Sequence, residues 1–270
     1  MEAAITVAFD PLLYFADISI RMQTVVLAVI IFLSLVLLAR IGRLTPMEGP
    51  YVPPLTLQPA ELPFLLLGVI PGAVIGGRLD YVLVHLDYYL VHPASILDPA
   101  QGGLGLGLAV PGAILGGVFM SQLMDTQTER WMHAATLPAL LALAAGKLAS
   151  VLAAEGQGQP ADLPWATAYL GDGPWSSLAA WVPSHPSQVY EAILTFIVLL
   201  LLGLALGAGV FVRRNGSALL VAVALWALAR ALVVFTWRDD GILGPIRAEH
   251  LILAGVVAVS VGAGLRLRVR

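Results

Sequence analysis

The chain has 270 residues, 59% of them hydrophobic and only 11% charged, whereas soluble domains carry roughly 25% charged residues. This composition excludes an ordinary soluble domain, and the absence of cysteine excludes disulfides, thiolate catalysis by the chain itself and cysteine-ligated metals. The net charge of −3 says little as a total, because the placement of charges decides topology.

Apolar residues run through the whole length, so residues 1–270 read as a single integral membrane domain. The first twenty residues are acidic and lack the basic n-region of a secretory signal. A span needs about 20 largely apolar residues, and seven stretches qualify: 22–39, 62–84, 104–124, 134–154, 188–212, 217–237 and 249–265. Strand alternation is absent, and backbone groups in lipid need partners within the segment. The expected fold is therefore all-α, a polytopic membrane protein of seven transmembrane helices. Spans two, three and four are rich in Gly and Ala, which suits close helix packing. The third, GLGLGLAVPGAILGG, combines its glycines with Pro111, and a broken or irregular helix is expected there.

Basic residues set the orientation. Arg40, Arg43, Arg130, Arg213, Arg214, Arg266, Arg268 and Arg270 fall on one side, and only Arg21, Arg238 and Arg247 on the other. This puts the N-terminus outside and the C-terminus in the cytoplasm. The connections 85–103 and 155–187 then form outer-face loops, both without Lys or Arg. Trp165, Trp175 and Trp181 in the second loop fit the headgroup layer.

Several charges sit where lipid should be: Arg78 and Asp80 in span two, Lys147 in span four, Glu191 in span five and Arg230 in span six, with Glu155 at the end of span four. A charge at mid-membrane costs about 2.5–3.5 kcal/mol on insertion scales, so each needs a partner or a polar cavity. Two readings stay open. One is mutual neutralisation, such as Arg78 or Arg230 with Glu191. The other is a pocket in which Arg78, Lys147, Glu191 and Arg230 converge around an anion, which in a bilayer is a phospholipid headgroup that arginine grips through paired hydrogen bonds. In PSHPSQVYEAI, Ser184 or Ser187 is suited to cap the fifth span, with Pro186 in the first turn.

The motifs resemble those of the prolipoprotein diacylglyceryl transferases, bacterial membrane enzymes. The matching pieces are GGRLDYVL (76–83), GAILGG (112–117), GKLASVLAAEGQGQPADLPW (146–165), HPSQVYE (185–191), and Arg230 followed by WRDDGILG (237–244). The resemblance implies transfer of the diacylglyceryl group of phosphatidylglycerol to the lipobox cysteine thiol in a prolipoprotein signal peptide. It implies a multi-pass protein of the bacterial plasma membrane in contact with membrane lipid, with no cofactor, metal or nucleic-acid partner. Carried over residue by residue, it makes Arg230 and Glu155 the catalytic pair, with Arg78, Lys147, Tyr81, His185, Gln188, Tyr190 and Glu191 binding substrate.

The chain departs from that pattern where the family places a histidine before the GG of its third-span motif, thought to act as the base. Here the corresponding residue is Pro111, or Gly107 if a gap is moved, and neither takes a proton. The family's tyrosine in the first span is Gln23, its arginine before the PxDLPW segment is Lys147, and its two asparagines are Ser150 and Ala153. His85 and His92, near the end of span two, are the substitutes at hand for a base. A non-catalytic relative that binds anionic phospholipid or lipoprotein is the alternative reading.

Overall fold

The computed structural model describes residues 5–46, 56–98, 100–171 and 173–269. Seven helices long and apolar enough to cross a membrane are present among them. In chain order the principal helices are α1 (Met22–Leu44), α2 (Leu62–Val84), α3 (Leu86–Val91), α4 (Leu106–Leu123), α5 (Thr128–Ala149), α6 (Ser187–Gly207), α7 (Ser217–Val234) and α8 (Ala248–Val269). All but the short α3 are the spans expected from the apolar stretches. Their large exposed side chains are apolar, such as Phe32 and Leu33 on α1, Ile75 on α2 and Leu204 on α6. Many of their buried ones are small or polar, the arrangement expected when lipid is the solvent.

The spans pack in the spatial order α1, α5, α6, α7, α8, α4, α2. Helix α7 is central. Its Trp226 is fully buried in a core with Leu140 of α5, Val198 and Leu202 of α6, and Leu253 and Val256 of α8.

The third span corrects the expected break: α4 is one helix from Leu106 to Leu123 with Pro111 inside it. Its glycines serve contact instead. A Cβ on Gly112 would lie 2.3 Å from the carbonyl oxygen of Gly72, and one on Gly116 would lie 2.1 Å from that of Gly68. On the other side, a Cβ on Gly76 would lie 2.2 Å from the carbonyl of Leu108. Helices α2 and α4 therefore cross backbone on backbone along Gly68, Gly72 and Gly76, a spacing that only glycine permits at this distance.

One end of the bundle carries a headpiece. Strand β1 (Ile5–Ala8) pairs in parallel with β4 (Thr167–Leu170), so the segment before α1 and the α5–α6 connection are tied together. Strands β2 (Leu12–Phe15) and β3 (Ile18–Arg21) form an antiparallel hairpin running directly into α1. Arg238, in the α7–α8 connection, donates to the carbonyls of Gly158 (2.6 Å) and Leu178, to Gln157 Oε1 (3.2 Å) and to Ser184 Oγ (3.1 Å). Gln157 donates in turn to the carbonyl of Thr167 at 2.8 Å. Buried carbonyls in irregular backbone need donors, and one guanidinium supplies several at once.

Candidate functional site

Four charged residues of the spans collect at the headpiece end of their helices. Lys147 is in the last turn of α5, Arg230 one turn from the end of α7, Glu191 near the start of α6 and Glu249 in the first turn of α8. Each sign matches its helix end, cations near C-termini and carboxylates near N-termini, so the helix dipoles favour all four.

They form one chain of contacts. Arg230 donates from Nη1 to Glu191 Oε1 at 2.5 Å and from Nε to Glu249 Oε1 at 2.8 Å. Lys147 Nζ lies 3.3 Å from the other oxygen of Glu191. The faces of the Arg230 guanidinium lie near Trp237, at 4.7 Å, and Trp226, at 5.8 Å. Indole faces attract such a cation, the more so when desolvated. Arg230 and Glu191 are almost wholly buried, whereas the Lys147 side chain is 18% exposed and so remains reachable.

Asp80 joins from the α2–α4 pair. It is buried, and its Oδ1 accepts the backbone N–H of Leu108 at 3.0 Å in the first turn of α4. A Cβ on Gly107 would lie 2.6 Å from Asp80 Oδ1 and 3.0 Å from Glu249 Oε1. The two carboxylates therefore face each other across a glycine, and a side chain at position 107 would have to displace them.

Lys147 and Arg230 both contact Glu191, and the Arg230–Glu191 pair is the neutralisation that the sequence leaves open as one of two readings. Arg78 is engaged elsewhere. Its guanidinium donates to five carbonyls of the α2–α4 connection: Ser95 (2.6 Å), Ile96 (2.7 Å), Asp98 (2.9 Å), Gln101 (3.2 Å) and Gly103 (3.4 Å). Tyr81 belongs to this clamp, with the Arg78 cation 5.9 Å from its ring and His85 stacked on it at 4.2 Å. His92 stacks on Tyr88 in the same way at 4.7 Å. The convergence expected of Arg78 is therefore corrected: loop carbonyls take its donors.

The remaining candidates line the headpiece. Glu155 is exposed and accepts a hydrogen bond from Gln23 Nε2 at the start of α1. Gln188 is buried and donates to the Tyr169 hydroxyl at 3.0 Å, while its Oε1 has no partner among the described residues. Burial pushes the Tyr169 phenol up to about 12. Tyr190 accepts from Trp165 Nε1 at 2.7 Å, and its hydroxyl lies 3.5 Å from His185 Nδ1. Helix α6 begins at Ser187 with Pro186 at the N-cap and no side-chain cap. Both serines expected to cap it are spent otherwise: Ser187 Oγ lies 2.6 Å from the Thr236 hydroxyl, and Ser184 Oγ donates to Val182 at 2.8 Å.

Sequence reasoning missed Glu249. The signal was present, a carboxylate in the first turn of a span, but nothing in the pattern links it to Arg230 at 19 residues' distance.

The fold and site define a seven-span helical membrane protein with a buried ionic network at the headpiece end. A profile of the prolipoprotein diacylglyceryl transferase family matches residues 11–266, and the chain belongs to that family. Its relatives include proteins named phosphatidylglycerol–prolipoprotein diacylglyceryl transferase. The one from Geobacter sulfurreducens is 31% identical over 191 residues, covering 70% of this chain and 70% of the relative. The one from Nitrobacter hamburgensis is 32% identical, over 71% of this chain and 64% of the relative. That from Cereibacter sphaeroides is 34% identical, over 70% and 65%. The chain matches about two thirds of the length of these relatives.

Proposed function

We propose that the protein transfers the diacylglyceryl group of phosphatidylglycerol to the cysteine thiol of a prolipoprotein signal peptide in the bacterial plasma membrane. The observation that carries this reading is the gathering of Lys147 and Arg230 around Glu191 at one end of a transferase-family bundle. The headpiece end faces outward in this reading, as the bias of Arg residues toward the opposite side requires.

The chemistry balances simply. The acceptor's S–H proton passes to solvent, the sulfur attacks the glyceryl carbon, and the bond between that carbon and the phosphate oxygen breaks. The bond's electrons leave with glycerol phosphate. Charge grows on the departing phosphate, and a cation held beside it stabilises that charge. Lys147 is the reachable cation, and Arg230 offers Nη2, which makes no hydrogen bond among the described residues. Glu191 contacts both cations, and in this reading the exposed Glu155 meets the acceptor.

A specific observation favours the second reading, a non-catalytic relative that holds anionic phospholipid or lipoprotein. The positions that align with the family histidine, Pro111 and Gly107, carry no titratable group, and loss of a general base typically costs about 10²–10⁴-fold in rate. Complementation of a transferase-depleted bacterium separates the two. Rescue by the wild-type chain, lost in Arg230→Ala, supports the enzyme. Failure to rescue by folded protein that retains phosphatidylglycerol supports the binding protein.

A further inference from the structure

We propose that binding of a phospholipid headgroup at Arg230 takes up one proton, held between the facing carboxyls of Asp80 and Glu249. The inference rests on the lipid reading above and adds a linkage which that reading does not require.

The contact network holds three carboxylates, Asp80, Glu191 and Glu249, against two cations, Lys147 and Arg230. The carboxylates are not equally secured. Glu191 is gripped from both sides, by Arg230 at 2.5 Å and by Lys147 at 3.3 Å. Glu249 has one cationic contact among the described residues, Arg230 Nε at 2.8 Å, and faces Asp80 across Gly107. Asp80 is held by the backbone of α4, through the Leu108 N–H, and has no cation in contact among the described residues.

The neighbouring charges do not relieve this pair. Arg78 on α2 is spent on loop carbonyls. Arg247, just before α8, donates to the carbonyls of Val234 (2.7 Å), Asp239 (2.7 Å) and Trp237 (2.8 Å). His250 accepts the Arg247 backbone N–H on Nδ1 at 3.0 Å, and its Nε2 is buried without a partner among the described residues. Helix α4 brings no charged side chain to the contact, only Gly107 and Leu108.

An incoming phosphodiester therefore meets Arg230 already paired with Glu191 and Glu249, and Glu249 in turn faces the Asp80 carboxyl. Another anion in so buried a site is strongly disfavoured unless it is compensated. The two carboxylates that face each other are the natural place for compensation, because one proton removes their mutual repulsion and can be shared between them. Glu249 then presents a neutral carboxyl to Arg230, and the guanidinium is balanced by Glu191 and the phosphate. No bond of the lipid changes in this step; a solvent proton becomes a carboxyl proton.

The test uses the full chain in detergent, titrated calorimetrically with dihexanoyl phosphatidylglycerol in two buffers of different ionisation heat. The expected result is proton uptake that rises toward one per lipid bound, and affinity that falls by up to about tenfold per pH unit, as the pH is raised from about 6 to about 9. Asp80→Asn and Glu249→Gln, each confirmed folded by circular dichroism, abolish the uptake and flatten the pH profile. A role confined to structure would leave proton uptake in place. Saturable binding by the wild-type chain with no proton uptake overturns the proposal and leaves the lipid reading standing. No binding at any pH overturns both.

Discussion

Replacing Arg230 by methionine isolates what the ionic network contributes. Methionine keeps much of the volume between Trp226 and Trp237 but removes the charge that joins Glu191 to Glu249. Glu191 then retains Lys147 alone, and Glu249 has no cation in contact. Removing one partner of a buried pair costs about 3–5 kcal/mol, most of it the burden of the charge left behind. At about 2–4 °C per kcal/mol for a chain of this size class, the melting temperature in detergent falls by about 6–20 °C. Adding Glu249→Gln removes one of the stranded charges, so the double variant recovers several degrees, and the two substitutions are strongly non-additive. Circular dichroism or dye-monitored melting on the four proteins measures this. An Arg230→Met variant melting within about 2 °C of the wild type, with no recovery in the double variant, would refute the reasoning, since the carboxylates would then not depend on that cation.

Gly112→Ala places a methyl group 2.3 Å from the Gly72 carbonyl oxygen, where relief requires the helix backbones to separate. The expected loss is about 1–3 kcal/mol, whereas Gly203→Ala on α6, with nothing within 4 Å of the added carbon, melts like the wild type. Arg78→Met removes a charged donor from five loop carbonyls. Hydrogen bonds to charged groups contribute about 1.5–3 kcal/mol each, so amide exchange in residues 93–103 accelerates at least tenfold while α7 is unchanged by mass spectrometry. Burial raises the Tyr169 phenol to about 12 from its ordinary 10. The unfolded chain then loses this proton first, so the stabilisation is complete below pH 10 and is lost between pH 10 and 12. Tyr169→Phe flattens that part of the stability profile.

The spans were legible because lipid imposes one simple demand, a run of apolar residues long enough to cross, and all seven runs became helices. The same logic misjudged α4. Glycine and proline weaken helices in water, but in α4 the glycines bring its backbone onto that of α2 and the helix continues through Pro111. Within the site, Lys147, Glu191 and Arg230 stood out because a charge inside an apolar run has few explanations. Arg78 shared that signature but serves a different end, since sequence does not reveal that the carbonyls of a loop about twenty residues on gather around its guanidinium. Glu249 escaped notice for the opposite reason: at the edge of a span a carboxylate looks solvated, and only tertiary packing brings it to Arg230. The pairing of β1 with β4 was also hidden, because four-residue strands joined across the whole of α1 to α5 carry no periodic signal.

The most direct test incubates the purified chain with phosphatidylglycerol and a synthetic signal peptide bearing one lipobox cysteine, and follows the peptide by mass spectrometry. The account predicts a peptide heavier by one diacylglyceryl group, released glycerol phosphate in equal amount, and no product with Arg230→Ala or with a Cys→Ser peptide. An unmodified peptide, with folded protein still retaining phosphatidylglycerol, contradicts the transferase reading and leaves a lipid-binding relative in its place.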